Sequence, residues 1–163
     1  KAKETQNNAV FGDPSDSVIL KRLRIENSMS AVIALESIEE IQKVSAAITL
    51  IDPDIKIIAL RYFNPVGAHE SGLIGESPIN KPNNILPVIC NSAENGEEMM
   101  VFGGDYDTRD GSCIRDYVHV MDIASAHVKA LDRMLAGKME SALEFYNLGS
   151  ENGYTVLELL QTL

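Results

Sequence analysis

Four apolar residues in a row, Ile57-Ile58-Ala59-Leu60, run directly into Arg61-Tyr62-Phe63-Asn64-Pro65. A strand with one wet face alternates apolar and polar side chains. An unbroken run reads instead as a strand buried on both faces, as at the centre of a parallel sheet. Asn64-Pro65 ends the run, because proline has no N–H for the ladder and Asn-Pro favours a turn. Gly67 then permits a bend that other residues resist. Tyr62, Phe63 and Asn64 are thereby delivered to the carboxyl edge of the sheet, where open α/β sheets bind ligands.

The flanking segments fit that frame. Ala9-Val10-Phe11-Gly12 has the look of a strand tail with no lead-in, which sets the expectation of a missing upstream portion. Residues 13–27 read as a polar loop or short helix, with Lys21, Arg22 and Arg24 on a solvated face. Val32, Leu35, Ile38, Ile41, Val44 and Ile48 recur every three or four residues and predict an amphipathic helix over 31–50. Asp52-Pro53-Asp54 ends it. Downstream, a long loop from Ser71 to Asn84 precedes a helix over 85–93, and Asn95-Gly96 makes a turn. Met99–Gly103 and Tyr117–Val120 read as strands, with a polar loop at 104–111 between them. Asp122 is placed as the N-cap of a helix through Ala126, Ala130, Leu131 and Met134, closed by Gly137. Glu144–Gly149 is a further strand, and Thr155-Val156-Leu157-Glu158 is a capping box opening a last helix. Strands alternating with helices make an α/β protein.

Charge and cysteine usage narrow the partners. The net charge of −10 repels phosphate polyanions, so neither nucleic acid nor an anionic membrane is the expected partner. Cys90 and Cys113 form no Cys-x-x-Cys pair and read as reduced thiols; with no signal-peptide core in the opening residues, the expected location is the cytoplasm. His69, His119 and His127 lack the spacing of a metal site, and no metal is expected.

Several long motifs occur in order. They are Leu60-Arg61-Tyr62-Phe63-Asn64-Pro65-Val66-Gly67-Ala68-His69, then Ser71-Gly72-Leu73-Ile74-Gly75-Glu76, then Pro82-Asn83-Asn84-Ile85-Leu86-Pro87. Val101-Phe102-Gly103-Gly104-Asp105-Tyr106, Asp110-Gly111, Arg115–Asp122 and Tyr146-Asn147-Leu148-Gly149 follow. Together they resemble the UDP-glucose 4-epimerases, extended short-chain dehydrogenase/reductase proteins, from Lys56 to about Leu160. The resemblance implies that Tyr62 lies beside the nicotinamide of NAD, and that Phe63 and Asn64 contact the sugar and diphosphate. It implies that Asn84 (side chain) and Ile85 (backbone) touch the UDP portion, Phe102 walls the uracil pocket and Arg115 binds the diphosphate. The chemistry agrees: a guanidinium forks onto phosphate oxygens, and an aromatic face packs on a base. The plainer readings are an Arg115–Asp116 ion pair and a core position for Phe102.

The resemblance also implies a reaction: NAD takes a hydride from sugar C4 and returns it to the opposite face of a 4-keto intermediate. That needs a tyrosine, a lysine four residues on, and a serine or threonine. No tyrosine precedes Tyr62. The Tyr and Lys positions fall on Val32 and Glu36, or on Met29 and Ile33, and the serine position falls on Asn7. A glycine-rich phosphate turn after a strand is missing too.

The resulting expectation is an α/β protein: a partial Rossmann-like parallel sheet with a smaller substrate-binding α/β region. Residues 1–62 would be the remnant of the NAD-binding domain and 63–163 the UDP-sugar-binding region. The chain would carry the substrate half of a UDP-glucose/UDP-galactose 4-epimerase, with no catalytic residue of its own and NAD implied only by family. It would work in a homodimer or with a complementing chain. A non-catalytic nucleotide-sugar-binding protein of the same fold is the alternative, and a nucleotide-sugar dehydratase a more distant one.

Overall fold

The computed structural model describes residues 9–80 and 82–162. They divide into two compact units, residues 1–61 with 127–147 and residues 62–126 with 148–163. No helix among the described residues is long and apolar enough to cross a membrane.

The first unit is built on consecutive buried isoleucines. Strand β2, Lys56–Tyr62, lies between β1 (Ser30–Ile33) and β5 (Leu143–Leu148), and β1 pairs with it in parallel from Ser30↔Lys56 to Ile33↔Ala59. Ile57, Ile58, Ala59 and Leu60 are all buried, as their unbroken run requires. Helix α2, Ile38–Ile51, connects β1 to β2 and packs Ile41, Val44 and Ile48 into a core shared with Leu20, Ile25, Ile33, Ile55 and Ile57. Leu20 comes from the short helix α1 (Ser17–Arg22), capped by the Asp16 carboxylate, which accepts from the Val18 N–H at 2.8 Å. Arg61 ties the sheet edges together: its Nε donates to the Glu36 carbonyl at 3.0 Å and its Nη1 to Asn147 Oδ1 at 3.3 Å.

The helix expected over 31–50 therefore starts seven residues late, at Ile38, and the residues before it are a strand. Ala31-Val32-Ile33 is rich in β-branched side chains and finds a parallel partner in β2, which outweighs the helical period that happens to run through Val32 and Leu35. Ser37 marks the true start, its hydroxyl accepting from the Glu40 N–H at 3.3 Å.

In the second unit, β3 (Asn64–Val66), β4 (Ile114–His119) and β6 (Gly153–Thr155) form a sheet in that order, β3 parallel and β6 antiparallel to β4. Asn64-Pro65 does end β2, yet the chain enters a new strand there. Pro65 is tolerated because β3 is an edge strand. Gly67 has φ +86°, and a side chain in its place would collide with the His119 ring. Helix α3 spans Ile85–Asn95 and ends on Gly96 in the left-handed region. Helix α5, Val156–Gln161, opens with the expected capping box between Thr155 and Glu158.

Ala9-Val10-Phe11-Gly12 is irregular rather than the tail of a strand, the first strand among the described residues being β1, and two more expectations need correction. Met99–Gly103 is irregular rather than a strand, because no ladder partner adjoins it: β4 is already flanked by β3 and β6. Helix α4, Val120–Leu135, begins before Asp122, so that carboxylate sits inside the first turn, where it still favours the positive end of the helix dipole.

Candidate functional site

The site grows from the pleat of β4. Alternate residues of a strand face opposite ways, so Arg115 and Tyr117 share one face and Asp116 takes the other, with Cys113 just before the strand. Cys113, Arg115 and Tyr117 line a cavity of about 400 Å3, within the range of small-molecule sites. Asn64, the register partner of Tyr117 on β3, lines it too, with its Nδ2 donating to the Asp116 carbonyl at 3.0 Å. Asn84 and Ile85 enter at the start of α3, and Met99 to Phe102 supply the remaining wall.

Five residues chosen from the sequence, Asn64, Asn84, Ile85, Phe102 and Arg115, thus border one cavity. Tyr62 and Phe63 are not among its lining residues. Phe63 is half exposed and its N–H donates to the Leu148 carbonyl at 3.2 Å. Its ring crowds Gly149, where a Cβ would lie 2.7 Å from Phe63 Cδ2. Burial pushes the Tyr62 phenol up. The other lining residues, among them Tyr117, Cys113, Val88 and Met99 to Val101, were missed. For Tyr117 and Cys113 the signal was present, since both stand two residues from Arg115.

Arg115 is in no ion pair among the described residues; its Nη1 donates to the Ile114 carbonyl at 2.8 Å. The pairing with Asp116 does not form because that carboxylate faces the opposite way. It accepts from Ser150 N at 2.8 Å, Ser150 Oγ at 2.7 Å and Glu151 N at 3.3 Å. Burial pushes the Asp116 carboxyl up, but these bonds outweigh it and hold the group below its ordinary value. Burial raises the Tyr117 phenol. A hydrogen bond with the Cys113 thiol pushes Tyr106 up as well.

The loop that leads into β4 is fastened from behind. Thr155, fully buried, donates through Oγ1 to Asp110 Oδ2, and Asp110 Oδ1 accepts from Ser112 N at 2.9 Å and Ser112 Oγ at 2.8 Å. Arg109 donates to both oxygens of Glu158 and to the Gly153 carbonyl, the latter at 2.8 Å. The Arg109 guanidinium, with the Thr155 N–H, holds the Glu158 carboxyl down at about 2. The hydrogen bond from Thr155 keeps Asp110 low.

Phe102 is 79% exposed, an aromatic face at the cavity with nothing packed over it. A lone guanidinium, two carboxamides and that face suit a ligand anionic at one end and planar at the other. A parallel βαβ unit and a ligand cavity beside a strand edge define a Rossmann-like α/β protein. Residues 40–149 match the model of the NAD dependent epimerase/dehydratase family, and the chain belongs to that family.

Relatives in it are close. The chain is 44% identical over 154 residues to the UDP-glucose 4-epimerase of Pasteurella multocida, covering 93% of this chain and 44% of that protein. It is 53% identical over 111 residues to the UDP-glucose 4-epimerase of Erwinia amylovora, covering 68% of this chain and 32% of that one. The chain spans less than half the length of these curated relatives. The crystal structure of the Bifidobacterium longum UDP-glucose 4-epimerase in complex with NAD+ and UDP superposes with a TM-score of 0.73 at 32% identity. That match covers 88% of this chain and 50% of that one.

Proposed function

We propose that the second unit binds the UDP portion of a UDP-sugar, and that the chain is the substrate-binding half of a UDP-glucose/UDP-galactose 4-epimerase of galactose metabolism. The observation that carries this is the cavity that gathers Asn64, Asn84, Ile85, Phe102 and an Arg115 without a carboxylate partner among the described residues. In a chain of net charge −10, one such guanidinium supplies the local attraction that the overall field denies a diphosphate. Phe102 packs on the uracil, Asn84 and the Ile85 backbone read its polar groups, and Asn64 borders the sugar end; Phe63 does not line the cavity, and its sugar contact stays with the family resemblance.

The chain by itself binds without turning over. None of its five tyrosines has a lysine four residues on; those positions hold Val66, Asp110, Met121, Ser150 and Glu158. Met29 is exposed, Ile33 is core, and the serine position at Asn7 lies outside the described residues. The described residues do not fit NAD either. The turn from β1 to α2, Ala34-Leu35-Glu36-Ser37, has no glycine, and Ser37 caps the helix itself, so this turn offers no pyrophosphate site. No hydride step is assigned to these residues, and the role of Tyr62 beside a nicotinamide stays with the family resemblance. The missing Tyr-x-x-x-Lys favours a second reading, a nucleotide-sugar-binding protein without catalysis. The reduced-nicotinamide band separates the two when NAD and UDP-glucose are mixed with the chain and a complementing chain that carries Tyr-x-x-x-Lys and the glycine-rich turn: the first reading predicts the band and the second does not. A second copy or a complementing chain is the partner that the first reading requires, and a monodisperse monomer with one cooperative melt rejects it.

Titration calorimetry with UDP tests the binding. Saturable heat is expected, weakened about ten- to a hundredfold by Arg115→Ala, the worth of a hydrogen bond to a charged group. No saturable heat, or equal affinity in the variant, rejects the assignment.

A further inference from the structure

Asn84 occupies the N-cap of α3 with extended backbone (φ −79°, ψ 144°), the position at which an asparagine side chain ordinarily accepts a hydrogen bond from the helix's first turn. It does not do so here. Its Nδ2 instead donates to Glu76 Oε1 at 2.6 Å, eight residues back in the long loop. The orientation of the amide follows from the bond itself, in which the Glu76 oxygen accepts and the Asn84 NH2 group donates. The carbonyl oxygen Oδ1 is thereby turned away from Glu76, and among the described residues it accepts no hydrogen bond. Asn84 lines the cavity that holds Arg115 and Phe102 and also borders the neighbouring one, whose wall includes Glu76, Ile74 and Met121; Glu76 is absent from the first.

We propose that Glu76 is a positioning residue: it withholds Asn84 from capping α3 and presents the Asn84 carbonyl oxygen as an acceptor for an N–H group of the ligand's base. This rests on the UDP reading of the cavity and adds to it a specificity element. A carboxamide free to rotate could offer either its oxygen or its NH2, and so could not distinguish a base with an N–H at that edge from one with a bare acceptor. Clamped by Glu76, the amide cannot flip, so its oxygen stays on the side away from Glu76. The helix forgoes a cap in exchange, which makes the arrangement a functional one rather than a device for stability.

The test compares UDP titrations of the full chain with those of Glu76→Ala, Glu76→Gln, Asn84→Ala and the Glu76→Ala/Asn84→Ala double variant, each with its melting temperature. Glu76→Ala is expected to weaken UDP binding about tenfold, the worth of one oriented hydrogen bond. Its melting temperature stays level or rises, because the released Asn84 can cap α3. Glu76→Gln, whose side-chain oxygen still accepts, keeps most of the affinity, and Glu76→Ala adds nothing in the Asn84→Ala background. A lower melting temperature with unchanged affinity, or losses that simply add, overturns the proposal and leaves the UDP reading standing. If the unaltered chain binds no UDP, that reading fails separately. The side-chain NH2 resonances of Asn84 then decide about Glu76 without a ligand: a shift on Glu76→Ala supports the clamp, and none overturns it.

Discussion

The two units hold together by different means. In the first, residues 1–61 with 127–147, nine apolar residues including Ile41, Ile48 and Ile57 make one cluster, and Ser45 of α2 is the one buried polar residue among the unit's described residues. In the second, residues 62–126 with 148–163, the most deeply buried side chains include the hydroxyls of Thr155 and Ser112, and a chain of bonds through Asp110, Arg109 and Glu158 fixes the loop beside the cavity. Apolar burial is strong and non-directional, whereas buried hydrogen bonds contribute less but dictate orientation. The scaffold uses the first and the ligand cavity uses the second. A site that must place a guanidinium and two amides needs direction more than it needs raw stability.

The largest effect should come from the apolar cluster. Ile41→Ala removes a fully buried side chain of α2 and is expected to destabilise the protein by about 2–5 kcal/mol. The denaturation midpoint reads this, together with faster amide exchange in α2 and β2. A loss much below that range would mean that the first unit is not held by packing.

A smaller, more local effect is expected from Thr155→Ala, which removes the donor to Asp110 and the hydroxyl that accepts from the Glu158 N–H at 3.0 Å. The cost is about 1–3 kcal/mol, with faster exchange in residues 108–113 and 156–159 and unchanged exchange in β2. Equal acceleration in both units would break the contrast.

The smallest effect is one of pH. Glu144 is held down to about 2 by Arg133, by the Glu140 N–H and by Tyr146. Glu158 is held equally low in the second unit. A depressed carboxyl contributes stability that is whole above its ordinary value of 4.5 and is lost as pH falls through about 2. Both units should therefore weaken across that window. Glu158→Gln should flatten the decline in residues 108–113 while leaving the first unit's decline intact. Because Arg109 is half exposed, the effect is modest and shrinks in high salt.

Much of the scaffold was legible because it obeys local rules. The unbroken run Ile57–Leu60 read as a buried strand, and Thr155 with Glu158 as a capping box. Strand β1 was hidden because Val32 and Leu35 also satisfy a helical period; only the pairing with Lys56–Ala59 decides the matter, and pairing is not written in a single segment. Met99–Gly103 looked like a strand for the converse reason, having the propensity and no partner. Of the site, the five lining residues were reached through the resemblance, and Tyr117 was within reach from the alternation on β4. The bonds that position them were not legible: Arg109 meets Glu158 across 49 residues, and Glu76 reaches Asn84 from an irregular loop without periodicity.

We propose that the second unit by itself holds the UDP cradle. Backbone amide and side-chain resonances of the labelled chain, followed as UDP is added, test it most directly. The predicted result is saturable shifts at Asn64, Asn84, Ile85, Phe102 and Arg115, with β1, α2 and β2 up to Arg61 unmoved. Shifts concentrated in the first unit, or none that saturate, would contradict it.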